Sequence, residues 1–331
     1  MLKSDKLKKI ITLLADGEFH SGTELAERLG ISRSAVSKQL SVLPDLGLQY
    51  SAISGRGYRL HSPIELLDSL VINQYLSEAT QQLITSLEIF DQLDSTNRYL
   101  NEQAQHQGNS GVICLAEHQT AGKGRRGRQW VSPFGSNIYL SILWRFQKGY
   151  SSISGLSLAI GVAVIRALKQ LNIQSVSLKW PNDIYSNGKK LGGILIEISG
   201  ETEGPCYAVI GLGLNLFLPD EQAAGITQEW TDLSKLLGKN FTGRNQLVAY
   251  LLEHILNLLT DYEAVGLTHY IDEWRQYDCL VDHPAQLFFE THTITGIIAG
   301  IDNNGLLMVK QPDNSIRSFA SGEVSFHSTP L

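Results

Sequence analysis

The period of apolar positions changes several times along the chain. From Lys3 to Ala15, Leu7, Ile10, Ile11 and Leu14 fall on one helical face with lysines opposite, and Asp16-Gly17 ends the run. Ser21 offers an N-cap for a helix through Glu24 to Leu29, Gly30 a left-handed turn, and Ser32 a cap for a second helix from Arg33 to Leu40. Two short helices across a glycine turn predict a helix-turn-helix, with Leu25, Ala26, Leu29, Ile31, Val36 and Leu40 inside. Pro44 sits where a longer second helix would continue and should stop or kink it. A period of two follows in Leu48 to Ile53 and Tyr58 to Leu60, around Ser54-Gly55-Arg56-Gly57. This is a hairpin wing with an arginine at its tip.

His61-Ser62-Pro63 reads as a linker, followed by a helix from about Glu65 to Leu76. Strands are then expected at Leu87 to Phe90, Val112 to Glu117, Ile138 to Trp144, Val176 to Trp180, Lys190 to Ile198 and Cys206 to Gly211. A capped helix begins after Asp94-Ser95-Thr96-Asn97, and a strongly apolar helix runs from Leu156 to Leu171. Strands outnumber helices here, which argues for a mixed α/β sheet over a doubly wound one. An amphipathic helix from Leu247 to Gly266 and a short one near Tyr270 to Trp274 precede short strands and turns, the texture of a small SH3-like β-barrel. The whole reads as an α+β multidomain chain divided at 1–62, 63–275 and 276–331.

Composition narrows the class. The 331 residues are 43% hydrophobic and 18% charged, enough apolar side chains for sizeable cores. No stretch approaches the roughly 18 consecutive apolar residues of a spanning helix, and the basic N-terminus lacks a small-residue cleavage site, so no membrane association is expected. Cys114, Cys206 and Cys279 lie far apart without a C-x-x-C, which supports neither a disulfide framework nor a cysteine-rich zinc site. The expected location is cytoplasmic.

The net charge of -6 conceals a split. Residues 1–60 hold nine Lys/Arg against six Asp/Glu, while the remainder holds 18 against 27. The basic segment is the one with the helix-turn-helix. Ser32, Arg33, Ser34, Ser37 and Lys38 lie where a recognition helix meets bases and phosphates, and Arg56 on the wing reaches the backbone or minor groove. Winged helices also serve as protein-binding modules; the polar helix face, basic first helix and arginine-tipped wing together favour DNA. One module neutralises few phosphates, so useful affinity calls for a dimer on two half-sites.

Gln119 to Trp130 holds G-x-G-x-x-G at Gly122, Gly124 and Gly127. No helix pattern opens behind it, since Pro133, Phe134-Gly135 and a strand follow, so a dinucleotide fold is rejected. A P-loop is rejected as well, for want of G-K-[ST]. What remains is a mobile loop with Lys123, Arg125, Arg126 and Arg128, suited to gripping a polyphosphate. A solvated basic turn is the plain alternative.

This loop, with Asp94-Ser95-Thr96-Asn97, Lys179-Trp180-Pro181-Asn182-Asp183, Lys190-Leu191-Gly192-Gly193-Ile194-Leu195 and Gly211-Leu212-Gly213-Leu214-Asn215 in that order, resembles the biotin–protein ligase family. With the winged helix in front, it resembles those members that also repress the biotin operon. The resemblance covers nearly the whole chain. It implies a central class II synthetase-like ligase domain and a C-terminal SH3-like barrel. The chemistry it implies is biotinyl-adenylate formation from biotin and ATP with Mg²⁺, then transfer to a lysine of the biotin carboxyl carrier protein of acetyl-CoA carboxylase. Adenylate-dependent homodimerisation on operator DNA is implied too, with Arg128, Trp144 and Arg145 as interface candidates.

By motif, the resemblance places Ser95, Thr96, Asn97, Gln119, Lys123, Gly124, Arg125, Trp130 and Lys190 on biotin. It places Arg125, Arg128, Asn182, Asn215 and Trp230 on the nucleotide, with Trp230 stacking on adenine. Lys190, Arg125 and Asp183 would carry catalysis, with Asp183 orienting Lys190 or placing Mg²⁺. Lys123 replaces the arginine usual at that position, keeping the charge and losing the bidentate fork. Ser95-Thr96 is also a good helix cap, Trp130 a plausible core residue, Trp180 to Asp183 a plausible turn, and Glu323 either a turn residue or one reaching back to the nucleotide. Competing readings are a lipoate or other acyl–protein ligase on the same fold, and a ligand-sensing transcription factor without catalysis.

Overall fold

In the computed structural model residues 5–105, 108–289 and 292–326 are described; the expected helix start at Lys3 and the chain end beyond residue 326 lie outside them. The helix-turn-helix forms as its caps dictate. Ser21 accepts from the Glu24 N–H, Gly30 closes helix Gly22–Leu29 at φ 60°, and Ser32 accepts from the Ala35 N–H at the head of helix Arg33–Leu40. Pro44 opens a short 3₁₀ turn, Leu43–Leu46, so the second helix ends at Leu40. The wing pairs Tyr50–Ile53 with Gly57–Leu60.

The wing and helices close over a core that includes Leu7, Ile10, Leu14, Leu25, Val36 and Leu40, and Phe134 from beyond the glycine-rich loop completes it. Gln222 Nε2 also donates to the Gly47 carbonyl at 3.0 Å, and Lys8 pairs with Asp91 at 2.7 Å. The winged helix is therefore docked on the rest of the chain through side chains distant in sequence.

One expectation fails in the next segment. Glu65 does not begin a helix; helices run Ser69–Gln74 and Glu78–Leu83 instead. The Glu65 carboxylate accepts from the N–H groups of Gly243, Arg244 and Asn245, satisfying the free donors at the head of helix Arg244–Val265. A distant helix terminus thus outcompetes the local pattern.

The central sheet has seven strands in the order Ser86–Phe90, Val112–Ala116, Ile138–Phe146, Cys206–Leu214, Lys189–Gly200, Asp183–Ser186 and Ser177–Lys179. The first pair is parallel and the others antiparallel, giving the mixed sheet expected. Alternate residues face opposite ways: Ile113 and Leu115 join the main core under helices Leu156–Gln170 and Arg244–Val265, while Cys114 faces helix Thr96–Gln105 with Leu100 and Ala104. The stretch Tyr150–Gln170 is long and apolar enough to span a membrane, yet 67% of it is buried as this core helix.

Five antiparallel strands end the chain, in the order Ile316–Phe319, Leu307–Lys310, Thr293–Ile301, Pro284–Phe288 and Glu323–Phe326. The two edge strands are consecutive in sequence, joined only by Ala320-Ser321-Gly322. Laid flat, five strands would separate the edges by about 19 Å, while this link spans at most about 14 Å. The sheet must roll up, which fits the expected small barrel.

Candidate active site

Glycines shape the floor of a cleft enclosing about 1060 Å³, including its open mouth, at the centre of the large sheet. A Cβ on Gly211 would stand 2.1 Å from Asn97 Oδ1, and one on Gly213 would stand 2.5 Å from the Trp130 ring. Only bare backbone lets the Asn97 amide and the Trp130 indole lie against this strand. Trp130 is thus a wall of the cleft.

The cleft is lined by Ser95, Thr96, Asn97, Gln119, Lys123, Gly124, Arg125, Arg128, Trp130, Asn182, Asp183 and Lys190. Of the expected biotin and catalytic set, every member is present. Ser95 Oγ accepts from the Arg98 N–H at 3.5 Å at the head of helix Thr96–Gln105, so Ser95 caps the helix and lines the cleft, and Thr96, the first helical residue, lines it too. Gln119 Oε1 accepts from the Thr96 N–H at 2.9 Å, and its amide Nε2 donates to Ser132.

The glycine-rich segment forms a small hairpin. Gly124 N–H donates to the Arg128 carbonyl, Trp130 N–H to the Gly122 carbonyl, and Arg126 takes φ 55° in the turn. Arg125 Nη1 donates to Asn182 Oδ1 at 2.8 Å, and burial pulls the guanidinium pKa below its ordinary value, opposed by the nearby Asp183 charge. Arg128 pairs with Glu323 of the C-terminal sheet, whose other oxygen lies 3.7 Å from Arg126. Glu323 therefore reaches back to the cleft.

Lys190 and Asp183 meet on neighbouring strands, Nζ to Oδ1 at 2.8 Å, with side chains only 14% and 18% exposed. A register shift between Ile184 and Tyr185 sets Asp183 opposite Gly193. Lys190 Nζ also lies 5.7 Å from the Trp130 ring centroid. The turn expected at Trp180 to Asp183 stops at Asn182; Asp183 opens a strand.

The three other residues expected on the nucleotide make contacts within the chain. Asn182 uses both ends internally, accepting from Arg125 and donating Nδ2 to the Ile194 carbonyl. Asn215 is buried outside the cleft lining and donates Nδ2 to the Thr231 carbonyl, pinning the loop that returns to Lys190. Trp230 is outside the lining as well; its backbone bridges Lys190, and Lys235 Nζ stands 3.6 Å above its ring.

Sequence reasoning left Lys179 without a role. It lines the cleft, its Nζ donates to Tyr185 Oη at 3.1 Å, and burial pulls its pKa down against the opposing Asp183 charge. Its period-two spacing along strand Ser177–Lys179 was the available signal. Among the described residues no group of three or more His, Cys, Asp or Glu is placed to hold a metal ion.

Away from the cleft, Ser32, Arg33, Ser34, Ser37 and Lys38 are all exposed along one helix. Arg56 at the wing tip stacks on Phe19 with its guanidinium 4.2 Å from the ring centroid, and Arg59 covers the same ring at 4.7 Å. Phe19 thereby steers the wing arginine.

Comparison with known proteins accounts for all three parts. Residues 6–59 match a model described as HTH domain, 89–215 the biotin/lipoate A/B protein ligase family, and 287–327 the biotin protein ligase C terminal domain. The chain is 40% identical to the bifunctional ligase/repressor BirA of Salmonella typhimurium over 319 residues, covering 96% of this chain and 97% of the relative. It is 39% identical to that of Escherichia coli, over 97% of both chains. The solved biotin protein ligase from Aquifex aeolicus in complex with biotin and ATP superposes with a TM-score of 0.62 at 25% identity, covering 74% of this chain and 100% of that one. Its winged helix, its cleft and its near full-length likeness to these relatives together establish that the chain belongs to the bifunctional biotin ligase/repressor family.

Proposed function

We propose that the chain is an ATP-dependent biotin–protein ligase that also represses transcription. The observation that carries the catalytic part is the shielded Lys190–Asp183 pair in a cleft that also holds the Arg125–Arg128 hairpin and the Ser95, Thr96 and Gln119 polar cluster. These are the parts needed to bring two anions together and hold a urea-like ring.

In the first step a biotin carboxylate oxygen attacks the α-phosphorus of ATP. The bond to the β-phosphate oxygen breaks and pyrophosphate leaves. Lys190 offsets the repulsion between carboxylate and phosphate and the charge of the transition state, while Arg125 and Arg128 take phosphate oxygens. In the second step the amine of an acceptor lysine attacks the acyl carbon, AMP leaves with its oxygen, and the amine releases a proton. No nucleophilic side chain is required, and positioning supplies most of the acceleration.

Asp183 orients Lys190. Among the described residues no cluster of His, Cys, Asp or Glu is placed to hold a resident metal, and Mg²⁺ is read as arriving with ATP. The acceptor is the biotin carboxyl carrier protein. The exposed face of helix Arg33–Leu40 and the Arg56 wing read operator DNA, with adenylate-bound homodimers presenting two such modules. Ordering the hairpin around ligand lowers the entropy cost of a nearby interface, so ligand and dimer favour each other.

Incubation with ATP, Mg²⁺, radiolabelled biotin and an acceptor domain should label the acceptor, and Lys190→Ala should abolish it. Labelling by lipoate in place of biotin would favour the acyl-ligase alternative, and absence of any labelled acceptor the sensor alternative. Footprinting with and without biotin plus ATP tests the second role. Protection should need both ligands and weaken in Arg33→Ala.

A further inference from the structure

Below the polar part of the cleft runs a row of hydrogen bonds whose direction is fixed from outside it. Asn97, 4% exposed, points Nδ2 at Glu197 Oε2, 2.8 Å away, and at the Leu195 carbonyl, 3.3 Å away. A carboxylate and a carbonyl only accept, so the Asn97 amide cannot be reversed. Asn101 Nδ2 donates to the same Glu197 oxygen at 3.0 Å and holds it in place. Glu197 and Ser141 are not part of the cleft lining.

The Asn97 Oδ1 therefore faces Ser141 Oγ at 2.6 Å, and Ser141, fully buried, also lies 2.8 Å from Thr96 Oγ1. Ser141 has one hydroxyl proton for these two neighbours. Asn97 Oδ1 has none to give, so the Ser141 proton goes to it, and the Thr96 proton fills the contact with Ser141. Gln119 Oε1, 3.2 Å from Thr96 Oγ1, keeps the Thr96 N–H at 2.9 Å as its donor. Thr96 then turns lone pairs, not a proton, toward the cleft.

We propose that Glu197 is a positioning residue for substrate selection. Acting through Asn97 and Ser141, it makes Thr96 an acceptor and so selects a ring that offers N–H donors. This rests on reading the cleft as the biotin site. A head group with sulfur or a carbonyl oxygen at that place would set lone pair against lone pair, a mismatch that costs far more than a lost methylene. The row is buried and cooperative, so reversing one member reverses the rest.

The test is calorimetry of biotin binding to the full chain. Asn97→Asp sets two carboxylates against each other and should weaken biotin at least about tenfold. Adding Glu197→Gln restores a donor opposite the introduced carboxylate, whose other oxygen still accepts from Ser141, and should return affinity to within about threefold of the parent. ATP binding, measured separately, should not follow this pattern. Rescue by a second substitution outside the cleft is not expected of residues that merely support the fold. A folded double variant no better than Asn97→Asp overturns the relay. Should Asn97→Asp fail to fold, Ser141→Ala decides: about tenfold weaker biotin binding supports the relay, and unchanged affinity overturns it. A parent chain that does not bind biotin overturns the reading of the cleft, and the relay with it.

Discussion

Asp183 Oδ1 and Lys190 Nζ lie 2.8 Å apart on adjacent strands, largely shielded from water, so the carboxylate aims the ammonium into the cleft. Asp183→Asn keeps the shape and removes the charge that holds Lys190. Adenylation, followed by pyrophosphate exchange into ATP, should fall by roughly 10² in kcat, approaching the loss in Lys190→Ala. A rise in KM for ATP with unchanged kcat would instead assign Asp183 to nucleotide binding.

Gly213 is bare because Trp130 needs its space. In Gly213→Ala the new methyl group would sit 2.5 Å from the indole and push it into the cleft. Overpacking of this kind costs about 1–3 kcal/mol. The variant should lose a few degrees in Tm and bind biotin at least about tenfold more weakly, read by thermal unfolding and calorimetry on one preparation.

Arg244 and Glu117 form an ion pair with both side chains 3% exposed. Arg244 also donates to the carbonyls of Asn137 and Glu65, and Glu117 accepts from the Leu67 N–H at 2.6 Å. Removing one charge strands the other in the interior, so Arg244→Met should cost about 3–5 kcal/mol in urea unfolding. The double replacement Arg244→Met with Glu117→Met should cost less than the sum of the singles. Additive losses would mean the two residues do not act as a pair.

Burial raises the Asp278 carboxyl to about 6 from 3.8, although the Leu280 N–H and His283 pull the other way. The folded state thus holds this proton more tightly than the unfolded state. Below the unfolded value both states are protonated and no penalty exists. Stability is lost as pH rises from about 4 to about 6, by at most roughly 3 kcal/mol. Asp278→Asn should flatten this fall in a series of urea midpoints from pH 4 to 7. An equal slope in both proteins would place the ionisation elsewhere.

Much was legible along the chain because its causes are local. Ser21, Gly30 and Ser32 punctuate the helix pair through bonds to residues three or four away, and Pro44 stops the second helix by its own ring. Alternation in Val112–Ala116 and Ile138–Phe146 reflects the two faces of a sheet, and the order of motifs carried the cleft's residue list. Each of these is written within a few positions.

Tertiary structure decided what depends on partners far away in sequence. Glu65 leaves its helix for a terminus about 180 residues on, with Asn245 its furthest partner. Asn182 meets Arg125, Asn215 meets Thr231, and one face of Trp230 meets Lys235. A polar side chain satisfies its hydrogen bonds with whatever the fold brings near, and sequence spacing does not encode that choice. By itself, the sequence determined the three kinds of local architecture and the residue types of one anion-gripping cleft. Only packing decided which of those residues face the cleft, because burial assigns each donor and acceptor a partner before a ligand arrives.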